Sequence, residues 1–185
     1  LEEVYKASGD AKYRQGVKDI LERIRESAVR TDNGVEWNSG NDIISGTAGT
    51  GLFLLYAGRN LEQPEWIQLA AEAGLGLIEL GIPDSQGMKW PVNKEYPRLM
   101  PNFSHGTAGI SYFLARIYEE TGDNRFLDAA LAGVRYLQAI AQPETCFIFH
   151  YEPGGEDLFF YGWCHGPSGS ARLFYLMSVL TEDKS

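Results

Sequence analysis

Apolar positions recur at helical spacing along this chain in two distinct ways. Tyr13, Val17, Ile20, Leu21 and Ile24 form one stripe of 3.6-residue period; Trp66, Leu69, Ala70, Ala73 and Leu77 form a second; Phe126, Ala130, Val134 and Leu137 form a third. Lys12, Lys18, Glu22, Glu72 and Arg135 occupy the remaining faces, as expected of helices wetted on one side. Between these stripes lie Leu52–Ala57, Ile110–Tyr118 and Leu173–Leu180, which are apolar around most of the helical circumference. Helices of that kind need protein on nearly every side. The alternation therefore predicts an inner layer of helices backed by an outer one.

A fixed period ties the two sets together. Ser45-Gly46-Thr47-Ala48-Gly49-Thr50, His105-Gly106-Thr107-Ala108-Gly109-Ile110 and His165-Gly166-Pro167-Ser168-Gly169-Ser170 each precede an inner run, and their first glycines are 60 residues apart. Trp66 and Phe126 are also 60 apart, whereas Tyr13 precedes Trp66 by 53, so the first inter-helix loop is shorter. Two landmarks sharing a period mark stacked helical units. The prediction is an all-α chain of three two-helix repeats, approximately 5–58, 59–119 and 120–181, forming an arc of a double-layered α/α toroid.

The connections alternate in length. Short inner-to-outer turns carry breakers, as in Gly58-Arg59-Asn60 and Thr121-Gly122-Asp123-Asn124. The outer-to-inner segments, Gly81 through Ser104 and Ala141 through Trp163, exceed the usual loop length and are rich in aromatics such as Trp90, Tyr96, Phe147, Tyr151 and Tyr161. Short strand pairing is expected around Thr145–Tyr151. Because every long loop precedes an inner helix, all of them meet one rim, the expected functional face. The paired glycines allow close backbone approach at each helix start. They are also expected to leave the first amides uncovered, as a weak positive pole for an anion or thiolate.

Composition narrows the function. A hydrophobic fraction of 44% is enough to support a packed core, and no apolar run approaches the ~20 residues of a membrane span. A net charge of -9 argues against a nucleic-acid partner. The 2 cysteines are too few for a disulfide framework, and with no basic-then-apolar leader at the start they point to a reducing cytoplasm.

The 3 histidines and 2 cysteines all fall between positions 105 and 165. His105 and His165 hold equivalent repeat positions, with Ser45 in the first repeat, and Cys164 stands one place earlier, equivalent to Ser104. Cys164, His105 and His165 are therefore expected at inner-helix starts on the loop-rich rim. There Cys164 reads either as an inert thiol or as a nucleophile or zinc ligand. His105 reads either as a helix cap or as a proton carrier, and His165 as an orienting or packing group. Cys146 and His150 lie outside the repeated frame; their Cys-x3-His spacing is a weak metal signal. A carbohydrate-processing site would want paired carboxylates on the rim, and Asp42, Glu95, Glu152, Glu156 and Asp157 show no repeat-related pair.

Ser104-His105-Gly106-Thr107-Ala108-Gly109-Ile110 and Gly162-Trp163-Cys164-His165-Gly166-Pro167-Ser168-Gly169 resemble the signatures of the lanthionine synthetase C-like family, and Gly46-Thr47-Ala48-Gly49 resembles its earlier, histidine-free glycine motif. The resemblance implies an α/α barrel that holds zinc and adds a cysteine thiol to a dehydrated serine or threonine, forming a thioether. It implies Cys164 as the first zinc ligand, His105 as the proton donor or acceptor, and His165 as a variable non-ligand. Other relatives resemble glutathione-binding or thiol-addition proteins, so the alternative is a non-catalytic scaffold for a peptide or small thiol. The family's later cysteine-histidine-glycine element, which supplies the other two ligands, has no counterpart after Leu173. The chain thus looks like an amino-terminal portion, expected to bind zinc weakly by itself and to need the rest of the barrel or a homo-oligomeric partner.

Overall fold

The computed structural model describes residues 1–93, 95–96 and 98–182; Lys94, Pro97 and the end of the polar tail, 183–185, lie outside it. The chain is all-α, an incomplete arc of an α/α toroid. A short helix α1 (Glu2–Ser8) leads into α2 (Ala11–Glu26), the strands β1 (Val29–Arg30) and β2 (Val35–Glu36), and then α3 (Thr47–Leu61) and α4 (Pro64–Leu80). The strands β3 (Ile82–Asp84) and β4 (Gly87–Lys89) precede α5 (Thr107–Thr121), α6 (Asn124–Ile140) and α7 (Pro167–Thr181). The inner layer is α3, α5 and α7, whose first residues are spaced by 60. Behind it lie α2, α4 and α6.

Local chemistry sets the helix boundaries. Asp10 and Asp123 cap α2 and α6, accepting hydrogen bonds from the amides of Lys12 and Arg125. Pro64 opens α4, where its missing N–H costs nothing, and Gly122 closes α5 in the left-handed conformation, φ 69°. The first inner-to-outer turn differs from expectation. Gly58-Arg59-Asn60 does not break α3, which runs on to Leu61 and ends at Glu62 with φ 56°. Gly58 is buried within the helix, where an added Cβ would come within 2.8 Å of the Ile67 side chain. It serves helix packing there rather than chain reversal.

The central inner helix, α5, is the most enclosed: Ile110, Phe113, Leu114, Ala115 and Ile117 are all fully buried. Trp66, Leu77, Phe126 and Leu137 bring the outer layer into the same core. The first stripe is less complete than its sequence suggests, since Ile20 is exposed while Val17 and Leu21 are buried. The flanking inner helices keep open sides. Tyr175 on α7 is 74% exposed and Val179 is exposed as well, so the apolar character of α7 extends to a face that none of the described residues covers; Tyr161 and Trp163, just before the helix, are exposed too.

The long loops are stitched to one another. The hairpins are β1–β2 and β3–β4, both antiparallel. Pairing near Thr145–Tyr151 is confined among the described residues to Tyr151 facing Gly155, while Glu152 pairs with Leu99. Lys89 binds Asp84 at 3.0 Å and Glu152 at 2.8 Å, and the Tyr136 hydroxyl donates to Glu152 at 2.8 Å. These contacts fasten β3–β4, α6 and the last long loop together. Burial, reinforced by Glu152, pushes the Tyr136 phenol well up, while the two carboxylates outweigh burial and keep Lys89 charged.

Candidate functional site

Each inner helix is preceded by the same turn. In the first, the amide of Ser45 donates to Oδ1 of Asp42 at 2.8 Å; in the second, the amide of His105 donates to Oδ1 of Asn102 at 2.9 Å. The third turn has Gly162 at that place and closes through its backbone, the amide of Gly166 donating to the Gly162 carbonyl at 2.8 Å. The second glycine of each pair makes the turn possible. A Cβ at Gly49, Gly109 or Gly169 would lie 1.9 to 2.0 Å from the carbonyl oxygen of Ile43, Phe103 or Trp163 respectively.

The three turns lie side by side. The amide of Ile43 donates to the Ser104 carbonyl at 3.2 Å, and that of Ser104 to the Cys164 carbonyl at 3.0 Å. This ladder places chemistry from consecutive repeats at one mouth. The expected positive pole is not free, however. In the first two repeats the starting amides are spent on the loop, Thr47 donating to Gly40, Ala48 to Asn41, Thr107 to Met100 and Ala108 to Pro101, all at 2.8 to 3.2 Å. The glycines bring the backbone so close that the turn itself satisfies the helix end.

Across the first two turns, His105 Nδ1 lies 2.8 Å from Asp42 Oδ2. The Asp42 side chain is only 3% exposed, whereas that of His105 is 32% exposed. Burial would raise the Asp42 carboxyl, but the bonds from His105 and the Ser45 amide overcome it and hold the group below the usual carboxylate range. An ionised acceptor requires Nδ1 to carry the proton, leaving Nε2 as the exchangeable nitrogen. Asp42 is the partner that the sequence did not point to.

His165 forms the wall behind this pair. Its ring stacks on His105 with centroids 5.6 Å apart and meets the edge of His150 at 4.6 Å. The Nδ1 atoms of His150 and His165 are buried, with no hydrogen-bond partner among the described residues. Burial, followed by neighbouring positive charge, pushes both imidazoles below their ordinary pKa, so they pack as neutral rings. His150 thus joins the cluster from the last long loop, while Cys146 is exposed and its amide turns back onto Gln142.

Cys164 is an exposed free thiol on the third turn. It is one soft donor, whereas a catalytic zinc site takes three protein ligands. Among the described residues no group of three His, Cys, Asp or Glu side chains is placed to hold a metal. Among the same residues no helix is long and apolar enough to cross a membrane.

The family model for lanthionine synthetase C-like proteins matches residues 1–185, the whole chain. No curated protein is similar enough in sequence to match. Similar solved structures include a family 76 glycoside hydrolase from a bovine Bacteroides thetaiotaomicron strain, with TM-score 0.72 and 16% identity over 100% of this chain and 42% of that one. Another is a family 76 glycoside hydrolase (mannosidase) from Bacteroides thetaiotaomicron VPI-5482, with TM-score 0.60 and 15% identity over 99% of this chain and 52% of that one. At such identities the likeness is one of fold. The chain spans about half the length of these structures, and it belongs to the lanthionine synthetase C-like family.

Proposed function

We propose that this member of the lanthionine synthetase C-like family supplies the proton-handling side of a site that adds a cysteine thiol to a dehydrated serine or threonine. The observation that carries the reading is the contact between His105 and the buried, ionised Asp42. His105 Nε2 takes the thiol proton as sulfur bonds to the β-carbon of the dehydro residue. The same nitrogen then returns a proton to the α-carbon, so the double bond becomes a single bond and the proton count closes. Asp42 fixes the Nδ1–H tautomer and stabilises the imidazolium that exists between the two transfers. His165 and His150 shield the pair with neutral rings.

In this reading Cys164 is the first zinc ligand, and two further ligands come with polypeptide that covers the exposed flank of α7, either more of the same barrel or a second copy. When bound, zinc holds the substrate sulfur as thiolate. A reducing compartment such as the cytoplasm keeps Cys164 available as a thiol.

Two measurements on the native protein test the reading. Zinc content should fall in Cys164→Ala; equal zinc in both proteins would remove the ligand assignment. The rate of thiol addition to a dehydroalanine peptide, followed by mass spectrometry, should drop about 10²-fold or more in both His105→Asn and Asp42→Asn with zinc retained. An unchanged rate in His105→Asn would leave a peptide- or thiol-binding scaffold as the better account.

A further inference from the structure

A cavity lies on the concave side of the arc, apart from the mouth. It encloses about 520 Å³ and is lined only by inner-helix residues, chief among them Tyr56 and Arg59 of α3, Tyr112, Arg116 and Glu120 of α5, and Arg172 of α7. On α5, Tyr112, Arg116 and Glu120 are spaced four apart and form one face of a helix otherwise largely buried. Position 112 is the repeat equivalent of 172, so the same inward-facing site is an aromatic in one repeat and a cation in the next.

The charges are unevenly matched. Arg59 pairs with Glu120 at 3.5 Å and Arg116 with Glu119 at 2.9 Å. Among the described residues Arg172 has no carboxylate; its guanidinium lies over the rings of Tyr112 and Phe103, 5.8 and 5.9 Å from their centroids. Those rings hold the cation in place without neutralising it. In a chain of net charge -9 this leaves an uncompensated positive centre in a concave, aromatic-lined space.

The cavity is also connected to the mouth. Phe103 packs on Tyr112 at 5.3 Å and on Trp163 at 5.4 Å, and it lies in the turn that carries His105. Tyr112 and Arg172 stand five residues into their helices, about 7–8 Å along the axis from the helix starts. An extended peptide covers about 3.3–3.6 Å per residue, so a group two to four residues from the reacting cysteine reaches Arg172.

We infer that the Arg172 cavity binds a carboxylate carried by the thiol substrate, so that the site prefers thiols with an acidic group roughly 10 Å from the sulfur. The inference rests on the thiol-addition reading and names its substrate class. Arg172 offers the planar fork that matches a carboxylate, and the Tyr112 ring beneath it leaves that fork free of a carboxylate partner among the described residues.

The test measures binding rather than turnover, using the native protein and two capped pentapeptides that contain one cysteine and, three residues on, either aspartate or asparagine. Calorimetry should show the aspartate peptide binding about fivefold more tightly, the upper end for a solvent-accessible ion pair. That preference should vanish in Arg172→Gln and shrink in 0.5 M salt. Reduced glutathione distinguishes the source: binding that depends on Arg172 for glutathione but not for the capped peptides assigns the carboxylate to a small thiol. Peptide discrimination below twofold in the wild type together with glutathione binding unchanged in Arg172→Gln overturns the inference, as does discrimination that survives Arg172→Gln for every probe, or the absence of binding by all three. His105→Asn should leave the preference intact, so a failed proton-transfer reading and a failed carboxylate site give different results.

Discussion

Alanine at Gly109 should destabilise the protein although alanine is the better helix former. The added Cβ would stand 2.0 Å from the carbonyl oxygen of Phe103, where ordinary contact begins at 3.4 Å, so one of the two must retreat by about 1.4 Å (3.4 less 2.0). The obstacle is backbone, and the Ile43 side chain closes the other side at 2.9 Å. Overpacking of this kind costs about 1–3 kcal/mol, and more where the neighbour cannot move. The gain in helix propensity offsets about 1 kcal/mol. Because the obstacle is backbone, the cost falls at the upper end, about 3 kcal/mol, and the net loss of about 2 kcal/mol corresponds to roughly 4–8 °C in Tm for a domain of this size.

Gly76 provides the control. It lies inside α4, and its added Cβ would meet nothing closer than 3.7 Å, so Gly76→Ala should raise stability by about 0.5–1 kcal/mol. Urea and thermal unfolding of both variants read the sign directly. Gly109→Ala should also weaken the Asp42–His105 bond, because Phe103 sits in the turn that holds His105; the downfield Nδ1–H resonance should broaden or disappear. A Tm for Gly109→Ala at or above the wild-type value, or equal losses in both variants, would refute the claim that close backbone approach governs this position.

Three further outcomes follow from the mouth and its supports. Asp42 titrates below its unfolded value, so the stability it contributes is complete above about pH 4 and is lost as pH falls through the lower folded value; in Asp42→Asn the urea midpoint should lie below wild type at neutral pH and converge with it in strong acid. His150 is held below its ordinary pKa by burial and then by the charges of His105 and Arg98, so its contribution is complete above about pH 6.5 and falls as pH drops; His150→Phe should therefore flatten the loss of urea midpoint between about pH 7 and pH 5. Glu152→Gln weakens bonds to both Lys89 and Tyr136 and should cost about 1–3 kcal/mol in chemical denaturation, with the greatest gain in amide exchange in the last long loop.

The 60-residue period was enough to place three inner-helix starts at one mouth, because equal repeats of stacked helices bring equivalent positions into register. Asp42 was invisible by the same logic. It belongs to the first repeat and its partner to the second, a separation of 63 that no comparison of equivalent positions isolates. A usable signal did exist for other supports. Trp37 and Trp90 are 53 apart, the offset already visible between Tyr13 and Trp66. The two indoles donate to Ile24 and Leu77, a pair with the same offset, and the tryptophan amides donate to the Thr47 and Thr107 hydroxyls. The two- and three-residue strands escaped notice because so short a pairing imposes no alternation. The helix-start amides look open in the sequence because their partners are carbonyls, which a sequence does not display.

The division of labour among the turns has a physical basis. Backbone bonds and the glycine pair are common to the turns, whereas the side chains at their variable places differ, a side-chain-to-amide bond closing the first two and a backbone bond the third. Asp42, Asn102 and Gly162 occupy one such place, Ile44, Ser104 and Cys164 a second, and Ser45, His105 and His165 a third. A single turn could not set an aspartate against a histidine in this way, because its first and fourth residues are already tied by the side-chain-to-amide bond that closes it. Neighbouring turns can, because the ladder from Ile43 to Ser104 to Cys164 fixes their spacing. Carboxylate, imidazole and thiol therefore come from three successive repeats, and the chemistry of the mouth belongs to the stacking of the units rather than to any one of them.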